Sequence, residues 1–199
     1  LIQKGHQVVW LSRSQNTSHI ETFYWNPSSS EIDLNAFNNV DQVINLSGAS
    51  ISKSWTKKYK EEIISSRIDS TRLLFKTVQE NGIVIKKYIS ASAYGIYPSG
   101  QKQSFSEQAE LGDSFLANVC KNWELEAFAF KKLNIATSVC RIGLVLDSNS
   151  GILKPLKTTI KLGLGQVFGS GNQSLPWIHI EDLVNMFVHI IEKPSSVGV

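Results

Sequence analysis

The stretch IKKYISASAYGIYPSG, residues 85–100, begins as a β-branched and aromatic run and ends in a turn rich in hydroxyls. Residues 85–91 read as a buried strand, bounded on the upstream side by Asn81-Gly82. Ser90, Ser92, Tyr94 and Tyr97 then gather at its C-terminal end. Taken alone, a Ser/Tyr-rich turn explains them. A strand end that carries hydroxyls can equally bind a substrate carbonyl or hydroxyl, so the surrounding chain decides.

Further buried strands read at 7–11 (QVVWL), 41–46 (DQVINL) and 136–145 (ATSVCRIGLV), with a weaker one at 22–25 (TFYW). Helical periods lie between them. Residues 55–80 carry Tyr59, Ile63, Ile64, Leu74, Phe75 and Val78 on one side and stop at Asn81-Gly82. Residues 114–133 carry Phe115, Val119, Trp123, Ala127 and Phe130, with Asp113 or Ser114 as cap. Residues 181–193 carry Leu183, Met186, Phe187, Ile190 and Ile191, and Pro194 ends them. Strands alternating with long helices predict an α/β fold, a doubly wound parallel sheet with helices on both faces. Ligands of such sheets bind past the C-terminal strand ends. That places interest on 12–14, 47–50, 92–112 and 146–151.

The totals narrow the classes. The chain has 199 residues, 42% hydrophobic and 19% charged, enough for one full core. The net charge is +3, and the densest basic run, KKYK at 57–60, is followed at once by Glu61 and Glu62, so no nucleic-acid surface is expected. Cys120 and Cys140 make no disulfide framework, and His6, His19, His179 and His189 have no zinc-like spacing, so no metal is expected. No apolar run approaches a membrane span and no signal-peptide pattern is present, which predicts a cytoplasmic protein without a membrane partner. The opening LIQKG reads as the last turn of a helix capped by Gly5, and a lone turn does not nucleate. This predicts a fragment of a longer chain, with a strand upstream and more chain downstream.

Three loops carry candidate chemistry. Strand 7–11 leads into Ser12-Arg13-Ser14, a cation with hydroxyl neighbours and no acid. In dinucleotide folds that position suits the 2′-phosphate of NADP, whereas NAD binders place a carboxylate there; the rival is a surface arginine in a turn. Strand 41–46 exits through small residues, where Gly48 lets a ligand approach the backbone, or through an ordinary loop. His179, ahead of Glu181 and Asp182, reads as structural at a helix start, with a catalytic histidine as the rival.

Taken in order, LIQKGHQVVWLSRS, VINLSGASI, SWTKKYKEEIISSRIDSTRLL, SASAYGIYP, FLANVCKNWELEA, RIGLVLDSNSGILKPL and GLGQVFGSGNQSLPWIHIEDLV resemble the extended short-chain dehydrogenase/reductases, the NAD(P)-dependent epimerase/dehydratases. More narrowly they resemble the atypical branch called "epimerase family protein", also labelled cell-division inhibitor-like. The resemblance covers nearly the whole chain. It implies a Rossmann-type domain over 1–199 with a small substrate lobe from about 98–112 and 147–180, and a G-x-x-G-x-x-G loop just before Leu1. It implies NADP, with NAD less suited. Ser12, Arg13 and Ser14 fall at the 2′-phosphate, Leu46, Ser47 and Gly48 beside adenine and ribose, Ser90 on the nicotinamide side, and Ser92 at the catalytic serine. Arg141 and His179 fall at structural or substrate-lobe positions.

The departure from the family lies in its acid/base. The Tyr-x-x-x-Lys dyad expected on the following helix is replaced by Leu116 and Cys120, and no tyrosine occurs in 98–199. Lys121 is one step off and points about 100° away on a helix. If a phenol acts, Tyr94 and Tyr97 are the two beside the serine; Tyr94 is either the acid or a loop lid. The resemblance implies hydride transfer on a small molecule such as a nucleotide sugar, with a non-standard acid/base, or else a non-enzymatic NADP-binding regulator. It also implies that helices 55–80 and 114–133 pair into a homodimer.

Overall fold

The computed structural model describes residues 1–14, 19–100, 104–148, 150–151, 153–165, 171–172 and 174–199. Parts of the expected substrate lobe, namely 101–103, 149, 152, 166–170 and 173, therefore lie outside the described residues. Strands β1 (Trp10–Ser12) and β2 (Thr22–Asn26) pair in parallel, and β3 (Glu31–Ile32) joins β2 antiparallel. Strands β4 (Gln42–Asn45), β5 (Lys87–Ala93) and β6 (Ala136–Ile142) form an all-parallel sheet with β5 in the middle. Strands β7 (Leu144–Leu146) and β8 (Trp177–His179) make a parallel pair. The helices are α1 (Lys57–Glu80), α2 (Phe115–Phe128), α3 (Leu153–Lys161) and α4 (Ile180–Glu192). Parallel neighbours need long crossovers, and α1 and α2 supply them for β4–β5 and β5–β6. The arrangement is Rossmann-type, as the alternation predicted.

Side chains alternate along β5, which assigns its two faces. Tyr88 lies on one face: its ring stacks on Phe130 at 3.8 Å, and its phenol accepts from Asn45 Nδ2 at 3.0 Å. Ser90 and Ser92 continue that face. Trp25, Phe37, Leu74, Val78, Tyr88, Phe130 and Val139 share one core, against which Leu11, Phe23 and Val43 also pack. Lys87 lies within β5 and is buried at 3% exposure. Its Nζ donates to Ile190 O (2.6 Å), Lys193 O (2.7 Å) and Ser196 O (3.2 Å). The ammonium thus meets carbonyls in and just past the last turn of α4.

The caps follow the sequence closely. Thr56 Oγ1 accepts from Tyr59 N at 3.2 Å and Ser114 Oγ from Ala117 N at 3.1 Å, so Ser114, not Asp113, caps α2. Gly5 is left-handed (φ 84°) and closes the short turn Ile2–Lys4. Two readings change. Ile64 does not join the buried face of α1 but is exposed beside Leu125 on the outer side of α1 and α2. The run 136–145 is not one strand: Gly143 breaks it, and Leu144 N turns to Pro176 O at 2.8 Å. A Cβ on Gly143 would stand 2.9 Å from that carbonyl, so only glycine lets the chain pass from β6 into β7 beside β8 there. Among the described residues no helix is long and apolar enough to cross a membrane.

Replacing Lys87 by Met removes three charge-assisted bonds while keeping volume. We expect Lys87→Met to lower stability by about 2–3 kcal/mol, within the usual range for bonds to charged groups. Urea unfolding followed by far-UV dichroism reads this directly, and a change under about 0.5 kcal/mol would refute the tether.

Candidate functional site

The C-terminal end of β5 carries a buried polar network. Ser92 pairs in register with Arg141 on β6. Glu124 of α2 sits over both: it accepts from Ser92 Oγ at 2.6 Å, from Arg141 Nε at 2.9 Å and from Arg141 Nη2 at 2.8 Å. Arg141 Nη1 donates to Tyr97 OH (2.9 Å) and to Glu107 O (2.8 Å). The hydrogen bond to Glu124 raises the Arg141 pKa well above its ordinary value, so this cation is permanent. Ser92 has one hydroxyl proton, and the carboxylate takes it. Its oxygen is therefore left as an acceptor only, on a residue 4% exposed.

The segment after β4 is strapped to α1. Ser47 Oγ donates to Asn45 Oδ1 at 2.5 Å and lies 2.7 Å from Ser70 Oγ. Ala49 N donates to Ser66 Oγ at 2.8 Å, and Ala49 O accepts from Arg67 Nη2 at 3.1 Å. Tyr59 OH donates to Ser50 O. Arg67 Nη1 bonds Ile63 O at 3.1 Å, and its guanidinium lies over the Trp123 ring, 5.3 Å from the centroid. Burial pulls the Arg67 pKa below its ordinary value, opposed by the neighbouring Cys120 and Tyr59. A Cβ on Gly48 would come within 2.9 Å of Arg67 Cζ. The glycine thus makes room for this cation from behind, in addition to being open on its outer side.

The predicted site residues divide. Arg13 and Ser14 are exposed past β1, Ser14 N donates to Ser12 Oγ at 3.2 Å, and the Arg13 guanidinium has no partner among the described residues. Leu46 and Gly48 are exposed and Ser47 turns inward. Ser90 is wholly buried and donates to Ala91 O at 3.0 Å. Tyr94 is 37% exposed on the short 3-10 turn Tyr94–Ile96, and its phenol has no partner among the described residues. Tyr97 is engaged by Arg141 and stacks on Phe105 at 5.1 Å. Leu116 lies against Gly95. Burial pushes the Cys120 thiol up, partly offset by the Ala93 backbone, Arg67 and Ser92 close by. Cys140 is pushed up to about 11 by burial. Both thiols are neutral at pH 7. His179 caps α4 weakly, Nδ1 accepting from Glu181 N at 3.4 Å.

Residues 1–121 match the family model of the NAD dependent epimerase/dehydratase family. The chain belongs to that family. An epimerase family protein of Staphylococcus saprophyticus is 36% identical over 201 residues, spanning 100% of this chain and 67% of the relative. One from Mycobacterium leprae is 31% identical over 194 residues, spanning 97% of this chain and 62% of the relative. The crystal structure of a human epimerase family protein with NADPH superposes with a TM-score of 0.86 at 28% identity, covering 100% of this chain and 66% of the other. The chain thus spans about two thirds of the length of these relatives.

Two participants were not read as functional in the sequence. Glu124 lies in a helix whose carboxylates look solvated; its signal is its spacing, one turn past Cys120 and able to meet an arginine one strand away. Arg67 belongs to Ser66-Arg67-Ser70-Thr71, whose spacing lines one face of α1 with polar groups where an apolar face would be expected. Deleting the Glu124 carboxylate leaves Arg141 buried without its counter-charge. We expect Glu124→Ala to cost about 3–5 kcal/mol, the range for one broken partner of a buried pair. Arg141→Met with Glu124→Leu should recover much of that loss in thermal unfolding, and a single variant as stable as wild type would refute the coupling.

Proposed function

We propose that this protein binds NADP(H) past the C-terminal ends of β1, β4 and β5 and acts on a small polyhydroxylated molecule such as a nucleotide sugar. The observation that carries the reading is Arg13, an exposed cation between two serines at the end of β1, with no protein partner among the described residues. It suits a phosphate that NADP has and NAD lacks. The NADPH in the human relative's structure supports the same choice. Bound there, the nicotinamide would supply or accept a hydride.

The chain's own residues then divide the remaining tasks. Leu46 and the bare Gly48 let the adenosine half approach the backbone. Ser92, its proton committed to Glu124, accepts a hydrogen bond from a substrate hydroxyl and so orients an alcohol in preference to a ketone. Neither Leu116 nor the neutral Cys120 can exchange that proton. Tyr94 is the group with a free phenol next to Ser92 in the chain, and it is assigned the acid/base role. Segments 98–112 and 147–180 shape the substrate pocket: Gly112 N bonds Ile96 O at 2.8 Å and Glu107 O holds Arg141, which ties the first of them to the site. The exposed Ile64 and Leu125 suit a homodimer face.

Calorimetry with NADPH and NADH tests the cofactor. NADPH should bind the full-length protein more tightly by about 1.5–3 kcal/mol, roughly ten- to a hundredfold, and Arg13→Ala should abolish that difference. Equal affinities in the wild type would refute the choice of NADP. Where a substrate is found, Ser92→Ala and Tyr94→Phe should each lower single-turnover hydride transfer about a hundred- to ten-thousandfold with NADPH affinity unchanged. Full activity of both would move the acid/base elsewhere.

A further inference from the structure

Trp55 is a large side chain that the fold holds in place yet leaves 40% exposed. Single apolar residues scattered over a surface need no explanation. Trp55 differs because its indole is restrained at two points. Nε1 donates to Ile51 O at 2.9 Å, and the ring meets Phe115 with centroids 5.5 Å apart and planes tilted by 58°. Phe115 is anchored in turn on the small core of Tyr59, Ile63 and Val119. A ring held this way offers a fixed surface and loses little freedom when a ligand covers it.

Its place is the end of the sheet where ligands of such folds bind. Residues 46–51 leave β4, and the carbonyls of Ser50 and Ile51 accept from Tyr59 OH and Trp55 Nε1. The indole is thus tied to the segment that carries Gly48. On the other side Phe115 opens α2, and its neighbour Leu116 packs against Gly95, next to Tyr94. Trp55 therefore stands between the exits of β4 and β5. Leu46, Ile51 and Tyr94 are exposed at the same two exits, so Trp55 belongs to a group of exposed apolar and aromatic side chains and is not a stray one.

We propose that Trp55 is a substrate-binding platform on which the sugar ring of the substrate stacks. A pyranose carries C–H bonds on its faces and hydroxyls around its edge. The negative face of the indole favours the weakly positive C–H groups. Stacking covers those groups and leaves the edge hydroxyls free to hydrogen-bond at the exit of β5, where the Tyr94 phenol has no partner among the described residues. This inference rests on the nucleotide-sugar reading above and adds to it the residue that holds the ring.

Calorimetry on the full-length protein tests it with NADPH, and then with UDP-glucose added to the NADPH-saturated protein. Trp55→Ala should weaken UDP-glucose about tenfold or more and leave NADPH within about twofold. Trp55→Leu, apolar but without a flat face, should lose nearly as much and decides the matter if the alanine variant does not fold. Trp55→Phe, which keeps a ring, should recover most of the affinity. A matching loss for NADPH would reduce Trp55 to a clamp on residues 46–51 and overturn the proposal. Unchanged UDP-glucose affinity in a folded variant would overturn it too, as would an equal loss for UDP, which has the base and no sugar ring; in all three cases the nucleotide-sugar reading stands. A wild type that binds NADPH but not UDP-glucose would overturn that reading, and this inference with it.

Discussion

Glu124 and Arg141 face each other with side chains only 7% and 10% exposed, and their contact ties α2 to β6 across the end of β5. Both charges have left water, so each needs the other, and the bidentate geometry fixes rotation as well as distance. The consequences spread outward. Ser92 is oriented because Glu124 is. Tyr97 and the Glu107 carbonyl are placed because Arg141 Nη1 has an N–H for each. The hydroxyl-rich turn that ends β5 is thus neither a simple turn nor a set of free groups. One serine and one tyrosine are committed to the network, one serine is sealed beneath it, and Tyr94 alone of the four is left open.

The second polar assembly, α1 against residues 47–50, does a similar task with hydroxyls and the Arg67 guanidinium. Hydroxyls of Ser66, Ser70 and Tyr59 take up the backbone and side-chain groups of a segment that has no strand neighbour to bond. Backbone groups that leave a sheet must find partners, and a helix face of serines supplies them at fixed spacing. The two assemblies meet where Cys120 and Trp123 of α2 approach Arg67. Where they meet the structure is polar, with its apolar support one layer lower in Tyr88, Phe130 and Leu74.

What could be read in the sequence was what period and punctuation encode. Buried β-branched runs located β4, most of β5 and all of β6, Asn81-Gly82 marked the end of α1, and the choice of caps lay within one residue. The break at Gly143 was invisible because Leu144 to Leu146 are as apolar as the strand before them; what redirects them is the Pro176 carbonyl, more than thirty residues on by the numbering. Ile64 misled for the complementary reason, since an apolar residue beside a buried position looks the same whether it faces the core or the outside. Among site residues, Arg13 and Gly48 could be named because local chemistry makes them useful. Glu124 and Arg67 act through partners distant in the chain, and residue type alone does not disclose such partners.

Lys87 gives the molecule an order of assembly. It sits in the middle strand of the sheet, yet its acceptors are 103, 106 and 109 residues further along the chain. As the polypeptide leaves the ribosome, β4, β5 and β6 can be complete while Ile190, Lys193 and Ser196 have yet to be made. Until then the ammonium has no acceptor inside the sheet and its natural place is in water, which holds that edge of the fold open. The arrival of the last turn of α4 closes it. A single buried lysine thereby makes the final commitment of the sheet wait for nearly the whole of this chain to be synthesised.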